Sequence, residues 1–208
     1  MKTPSFAAGP SLTIRAIKEV RAGGSSNSYS LSFPNHLGTH IDASRHVDDK
    51  GKAVSDYPPD AFAFTRPVIL DLPKGESELV TLGDLKRHAD DIKEADLLLI
   101  RTGFQVHRHR NPMKYMTMNP GVSAEAAKYL ADEFPQLRAL GLDFISLSAV
   151  QNREEGRKAH TALLSGRDFF IVEDMSLSKF PRRVRRILVV PLFVEGIDSA
   201  PCTVIAET

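Results

Sequence analysis

The sequence predicts an α+β fold: a single domain over residues 1–208, built on a large mixed sheet or barrel with flanking helices. Three observations carry this. Strand-like segments outnumber helical ones, their order is mixed rather than strictly alternating, and no glycine-rich phosphate-binding pattern marks a doubly wound nucleotide fold. The chain has 208 residues, no internal repeat, and Gly and Pro scattered rather than gathered into a linker.

Taken in order, Leu12, Ile14 and Ala16 alternate with polar residues and read as a half-buried strand. Ala22 to Ser26 is a turn. Tyr29, Leu31 and Phe33 then alternate with serines in a second strand. Val68 to Leu72, Leu97 to Arg101, Leu140 to Leu147 and Ile187 to Val194 are apolar enough for strands buried on both faces. Thr81 with Asp84 three residues on opens a helix through about Ile92. Ser123 caps a second, with Ala126, Ala127, Leu130 and Phe134 on one face, and a third runs from Arg153 to Leu164.

Composition removes several classes of function. With 42% hydrophobic and 25% charged residues the chain is neither disordered nor fibrous. Lys plus Arg number 27 against 26 for Asp plus Glu, a net charge of +1, so no general affinity for nucleic acid or membrane is expected. The longest apolar runs are too short to span a bilayer, and the first ten residues lack the apolar stretch of an export signal. The single cysteine, Cys202, can form no internal disulfide, which fits a reducing cytoplasm.

The chemistry concentrates between residues 36 and 46, where three of the seven histidines fall. If the two-residue period of the preceding strand continues, the even positions His36, His40, Asp42, Ser44 and His46 share one face. The odd positions, including Leu37, Ile41 and Ala43, then enter the core. Gly38 supplies a bulge or bend that lets His36 converge on His40 and Asp42. Two imidazoles and a carboxylate are a common ligand set for a catalytic divalent cation with an open position for water. The plainer alternative is a solvated strand face rich in histidine.

The pattern HxGTHxDxxxH resembles that of the cyclase family of metal-dependent hydrolases, which includes bacterial kynurenine formamidase and isatin hydrolase. Val68 to Pro73, Arg101 to Phe104, Asn119 to Gly121, His160 to Leu164 and Gly196 to Pro201 follow in the family's order. The resemblance implies a cyclase-like β/β/α fold and a homodimer or larger assembly. It implies that His36, His40 and Asp42 hold one metal, that Asp42 bridges to a second held by His160 and Glu173, and that His46 is the catalytic acid/base. Independently, Glu173 ends the apolar run Phe169 to Val172, where a charged side chain needs a partner. Ser44 stands where family members usually carry Pro, and the chain has no Trp; both bear on the substrate.

Other candidates rank lower. His107 and His109 alternate with arginines that disfavour a cation, so they read as a solvated or substrate-facing loop. The stretch Phe104 to Met118 is long enough to cover the site or pack on another subunit. His88 reads as surface, and Arg182, Arg183, Arg185 and Arg186 as a solvated turn. Cys202 has no base nearby in sequence. The expected function is a metal-dependent hydrolase that cleaves the carbon–nitrogen bond of a small amide, an N-formyl aryl amine or a cyclic amide. One or two divalent ions are expected, zinc or else manganese, with a small molecule as the only partner besides further copies of the chain. A lactone or ester hydrolase, or an inactive metal-stabilised binding protein of the same fold, are the alternatives.

Overall fold

The computed structural model describes residues 3–181 and 183–208; Arg182 of the basic run lies outside the described residues. The first elements are a hairpin, β1 (Thr13–Lys18) and β2 (Ser28–Ser32), followed by β3 (His40–Asp42), β4 (Ala63–Phe64), β5 (Pro67–Asp71) and β6 (Leu79–Val80). Helices α1 (Leu82–Lys86) and α2 (Ala89–Ile92) lead to β7 (Leu97–Arg101), α3 (His107–Arg110), α4 (Pro112–Thr117) and β8 (Gly121–Val122). Then come α5 (Ala124–Glu133), β9 (Ala139–Leu142), α6 (Arg153–Leu164), β10 (Phe170–Glu173), β11 (Arg186–Pro191) and β12 (Ser199–Glu207).

Eight strands form one mixed sheet in the order β4-β11-β12-β3-β10-β9-β7-β5. Its β5-β7-β9-β10 half is parallel, and the crossovers that parallel neighbours require carry α1 and α2 between β5 and β7, α5 between β7 and β9, and α6 between β9 and β10. The other half is antiparallel. The expected α+β class and large mixed sheet are therefore what the chain forms. One apolar layer, with Leu98, Ile100, Leu130, Leu140 and Leu163, fills the space under the helices. A second, with Ile41, Phe62, Phe64, Leu99, Phe170 and Val172, covers the opposite face. The short strand β3 lies in the middle of the sheet, between β10 and β12, and is buried at all three residues.

Several local expectations need correction. The helix from Thr81 breaks at His88, whose backbone (φ −120°, ψ 19°) leaves the helical region, although Thr81 caps α1 as expected. The strand expected over Leu140 to Leu147 ends at Leu142, because the chain leaves the sheet and brings the Leu147 N–H to Glu173. β11 stops at Pro191 and alternates: Ile187 and Val189 are buried while Val190 is exposed, as an antiparallel strand with one solvated face requires. β5 is an edge strand and only partly buried. His107 and His109 lie on the short helix α3 rather than in a loop. The largest departure is in β1 and β2, which pair with each other and stay exposed along nearly their whole length instead of half-buried. No helix among the described residues is long and apolar enough to cross a membrane.

Helix α6 starts and ends where the sequence places it, and its approach to the sheet is set by a glycine. A Cβ on Gly156 would lie 1.9 Å from Ser148 Oγ and 2.6 Å from Ser148 Cα, so the helix comes closer there than any side chain permits. Gly156→Ala should destabilise the protein by about 1–3 kcal/mol, the usual cost of overpacking, measurable as a lower thermal midpoint.

Candidate metal centre

The cluster forms where β3 meets β10. Glu173 pairs in register with His40, and Ile171 with Asp42, so strand pairing alone brings ligand types separated by more than a hundred residues to one place. His40 and Asp42, two apart on β3, share a face as the sequence predicts. The two-residue period does not extend to the rest of the motif. Gly38, with φ +71°, turns the chain ahead of β3, and His36 approaches from that turn; His46 lies in a 3₁₀ turn over Ser44–His46. Positive φ is readily adopted only by glycine, so this bend depends on the residue type at 38.

The imidazoles are fixed by backbone carbonyls. His40 Nδ1 donates to the Gly38 carbonyl at 2.8 Å, and His160 Nδ1 to the Gly156 carbonyl at 2.8 Å. Each ring therefore turns Nε2 inward. His40 Nε2 lies 3.3 Å from Glu173 Oε2 and 3.6 Å from Asp42 Oδ1, and His160 Nε2 lies 3.4 Å from Glu173 Oε1. His36 Nδ1 lies 3.1 Å from Asp42 Oδ1. The ring of His46 is centred 4.6 Å from that of His36 and 5.3 Å from that of His160. All six residues singled out in the sequence thus converge.

Three of their atoms are the test of a cation. His40 Nε2 and both carboxylate oxygens of Asp42 are fully buried and make no hydrogen bond. Such atoms are costly unless something pairs with them. A lone pair and two anionic oxygens ask for a positive charge, and nitrogen and oxygen donors of this kind suit a divalent ion. Although burial opposes its charged form, Asp198 and Asp42 push His36 up to about 10. Burial alone would raise Asp42 and Glu173, but the neighbouring imidazoles overcome it and hold both below the usual carboxylate range. Groups of ligating atoms close enough for one ion comprise His36, His40 and Asp42; Asp42, His46 and His160; and His36, His46 and Asp198.

Asp198 is the residue that sequence reasoning missed. It accepts from His46 Nδ1 at 2.8 Å, from His36 Nε2 at 3.1 Å and from Asn35 Nδ2 at 2.8 Å. Its hydrogen bonds to His36 and His46 hold its carboxyl far below the ordinary value. The only signal available was its place in the stretch Gly196 to Pro201, which resembles the family without indicating a role. Asp174 was missed too. It follows Glu173 in the left-handed region (φ 53°), and it takes Arg108 through both carboxylate oxygens and the Tyr115 hydroxyl at 2.5 Å. Its carbonyl accepts from Thr39 Oγ1 at 2.7 Å, so one knot clamps the neighbours of both His40 and Glu173. Arg108 is therefore turned inward, and the stretch from Phe104 packs Phe104 and Tyr115 against Ile145 and Phe6.

The cluster floors a cavity of about 600 Å³, walled by Phe6, Val47 and Ile145 with Ser146, Ser148, Arg157 and Thr161 around them. Fold and cluster together define a class: an α+β protein whose central strands carry a histidine–carboxylate centre fitted to a cation. More narrowly, the chain belongs to the cyclase family, whose Cyclase model matches residues 2–149. It is similar to the kynurenine formamidase of Bacillus cereus, 27% identical over 179 residues that cover 86% of this chain and 78% of the relative. Among solved structures, isatin hydrolase A from Ralstonia solanacearum superposes with a TM-score of 0.79 at 21% identity, covering 99% of this chain and 90% of that one. A Bacillus stearothermophilus protein described as a predicted metal-dependent hydrolase gives 0.74 at 24% identity, covering 98% and 91%. These relatives are hydrolases.

Cys202 stands apart from this chemistry. Burial pushes its thiol up to about 12, so at pH 8 it is almost wholly protonated. Its alkylation in the folded protein should be at least about tenfold slower than in the unfolded chain, and should keep rising past pH 9, where an ordinary thiol levels off. Iodoacetamide labelling followed by mass spectrometry measures both.

Proposed function

We propose that the protein is a metal-dependent hydrolase that cleaves the carbon–nitrogen bond of a small amide, an N-formyl aryl amine or a cyclic amide. The observation that carries this reading is the set of buried, unbonded donors, His40 Nε2 and the two Asp42 oxygens, at the floor of an open cavity. The likeness to kynurenine formamidase supports the formamide class. A cavity of about 600 Å³ with three apolar walls suits a substrate built on one aromatic ring.

His36, His40 and Asp42 would hold the first ion and His160 and Glu173 the second, with Asp42 between them. A carboxylate has two oxygens to share, whereas neutral imidazole has one lone pair. Zinc is the favoured ion, with manganese the alternative. When bound, such a cation brings the pKa of a water toward neutrality and polarises a carbonyl. The chain's own residues do the rest. Asp198 fixes the tautomer of His46 by accepting from Nδ1, which leaves Nε2 free to carry a proton. His46 then passes that proton to the departing nitrogen, which would otherwise leave as a poor, anionic group. Phe6, Val47 and Ile145 exclude bulk water from one side of the cavity.

Metal content separates the roles. The parent should hold two ions per chain under saturating zinc, and Glu173→Gln about one, by elemental analysis; chelation should abolish turnover and lower the thermal midpoint. An active protein free of metal would end the proposal. His46 lies close enough to the other ligands to bind an ion itself, so its variant is informative. His46→Ala should keep its metal while kcat falls by about a hundredfold or more, and Asp198→Asn should lower kcat by a smaller factor. Loss of metal from His46→Ala would make it a ligand. Turnover is measured on N-formylkynurenine, with isatin, small imides and lactones as the comparison set.

A further inference from the structure

The cavity above the cluster carries a guanidinium that the hydrolysis chemistry does not use. Arg157 lines the cavity and is exposed at its rim. It lies three residues before His160 on α6, about 5 Å along the helix axis, and so stands one turn above the floor. With Arg153, His160 and Thr161 it forms one stripe of that helix.

Among the described residues no carboxylate pairs with Arg157. The two acids of the same helix are engaged elsewhere: Glu154 and Glu155 take Lys158 at 3.1 and 3.8 Å, and Glu155 also accepts the Ala124 N–H at 3.1 Å. Arg153 is occupied, with its guanidinium 5.7 Å from the ring centre of Phe6. The hydroxyls of the wall are taken as well. Ser146 Oγ donates to Glu173 at 3.2 Å, Thr161 Oγ1 donates to the Arg157 carbonyl at 2.9 Å, and Ser148 Oγ lies 3.5 Å from His160 Nδ1. Glu173, the one carboxylate in the lining, is buried between the Nε2 atoms of His40 and His160. The N–H fork of Arg157 is therefore the free set of donors at this end of the cavity.

We propose that Arg157 determines specificity: it takes a carboxylate at the far edge of an aryl amide whose amide group rests on the cluster. A guanidinium matches a carboxylate in shape as well as charge. The apolar walls Phe6, Val47 and Ile145 suit the ring between the two polar ends. One helical turn separates Arg157 from the floor, a distance that para substituents on one benzene ring span. The placement of the amide rests on the hydrolase reading, and the inference narrows that reading from small aryl amides to anionic ones. A contact so far from the reacting atoms is made equally before and during reaction, so it acts on affinity rather than on kcat.

Two ketones with no bond to hydrolyse test this by isothermal titration calorimetry: 4-acetylbenzoate, and acetophenone as its neutral counterpart. The parent should bind the anion at least about tenfold more tightly, the usual effect of a charge-assisted hydrogen bond. High salt should shrink the preference, because Arg157 is exposed. Arg157→Gln should bring the two affinities to within about twofold, and Arg157→Lys should keep part of the difference. Lys158→Gln removes a cation from the adjoining face of the same helix and should leave the preference intact. A parent without the preference would overturn the proposal. So would a preference that survives in Arg157→Gln, which would put the carboxylate on the floor instead, or one lost equally in Lys158→Gln, which would make it an effect of general charge. Turnover of formanilide is measured separately: a protein that hydrolyses it but does not prefer the anionic ketone keeps the hydrolase reading and loses this inference.

Discussion

The constraint on which the rest depends is the burial of two carboxylates, Asp42 and Glu173, side by side at the centre of the sheet. Both are buried away from solvent, and burial by itself disfavours the charged form of each. Imidazoles from four places in the chain surround them, and backbone carbonyls at Gly38 and Gly156 hold two of those rings in the useful tautomer. The fold supplies the pairing that apposes β3 with β10, and helix α6 is admitted close enough only because residue 156 has no side chain.

The outer ring of contacts has the same purpose at one remove. Asp198 joins His36 to His46, and Asp174 ties the residues next to His40 and Glu173 into a single knot with Arg108 and Tyr115. Side chains two residues apart on a strand need little help to stay aligned. Side chains from different strands do, because small shifts between elements would change the distances between them. The supporting carboxylates sit at those junctions.

Much of this was legible in the sequence. The motif between His36 and His46 identified the centre, and the caps at Thr81 and Ser123 and the bounds of α6 follow from local hydrogen-bonding and patterning. What could not be read locally depends on the tertiary structure. Asp198 is an ordinary polar residue before a strand until β12 is laid beside β3. The period-two reading of the whole motif failed because a turn at Gly38 and a 3₁₀ turn after β3 bring His36 and His46 in from outside the strand. The alternation in β1 and β2 correctly marked strands, but a pattern of apolar residues says only that one side seeks cover and not that the same chain provides it.

The central position of β3 has a consequence in time. This strand is completed at residue 42, yet its two neighbours are residues 170–173 and 199–201, so it has nothing to pair with until almost the whole chain exists. The parallel strands β5, β7 and β9 have one another for neighbours and contain earlier segments, so that half of the sheet can condense first. β3 must then enter a slot between β10 and β12, a closure over more than a hundred residues of the kind that slows folding. During synthesis the motif's histidines leave the ribosome long before Glu173 does. The cluster that joins His40 and Asp42 to Glu173 is therefore the last part of the protein to come into being.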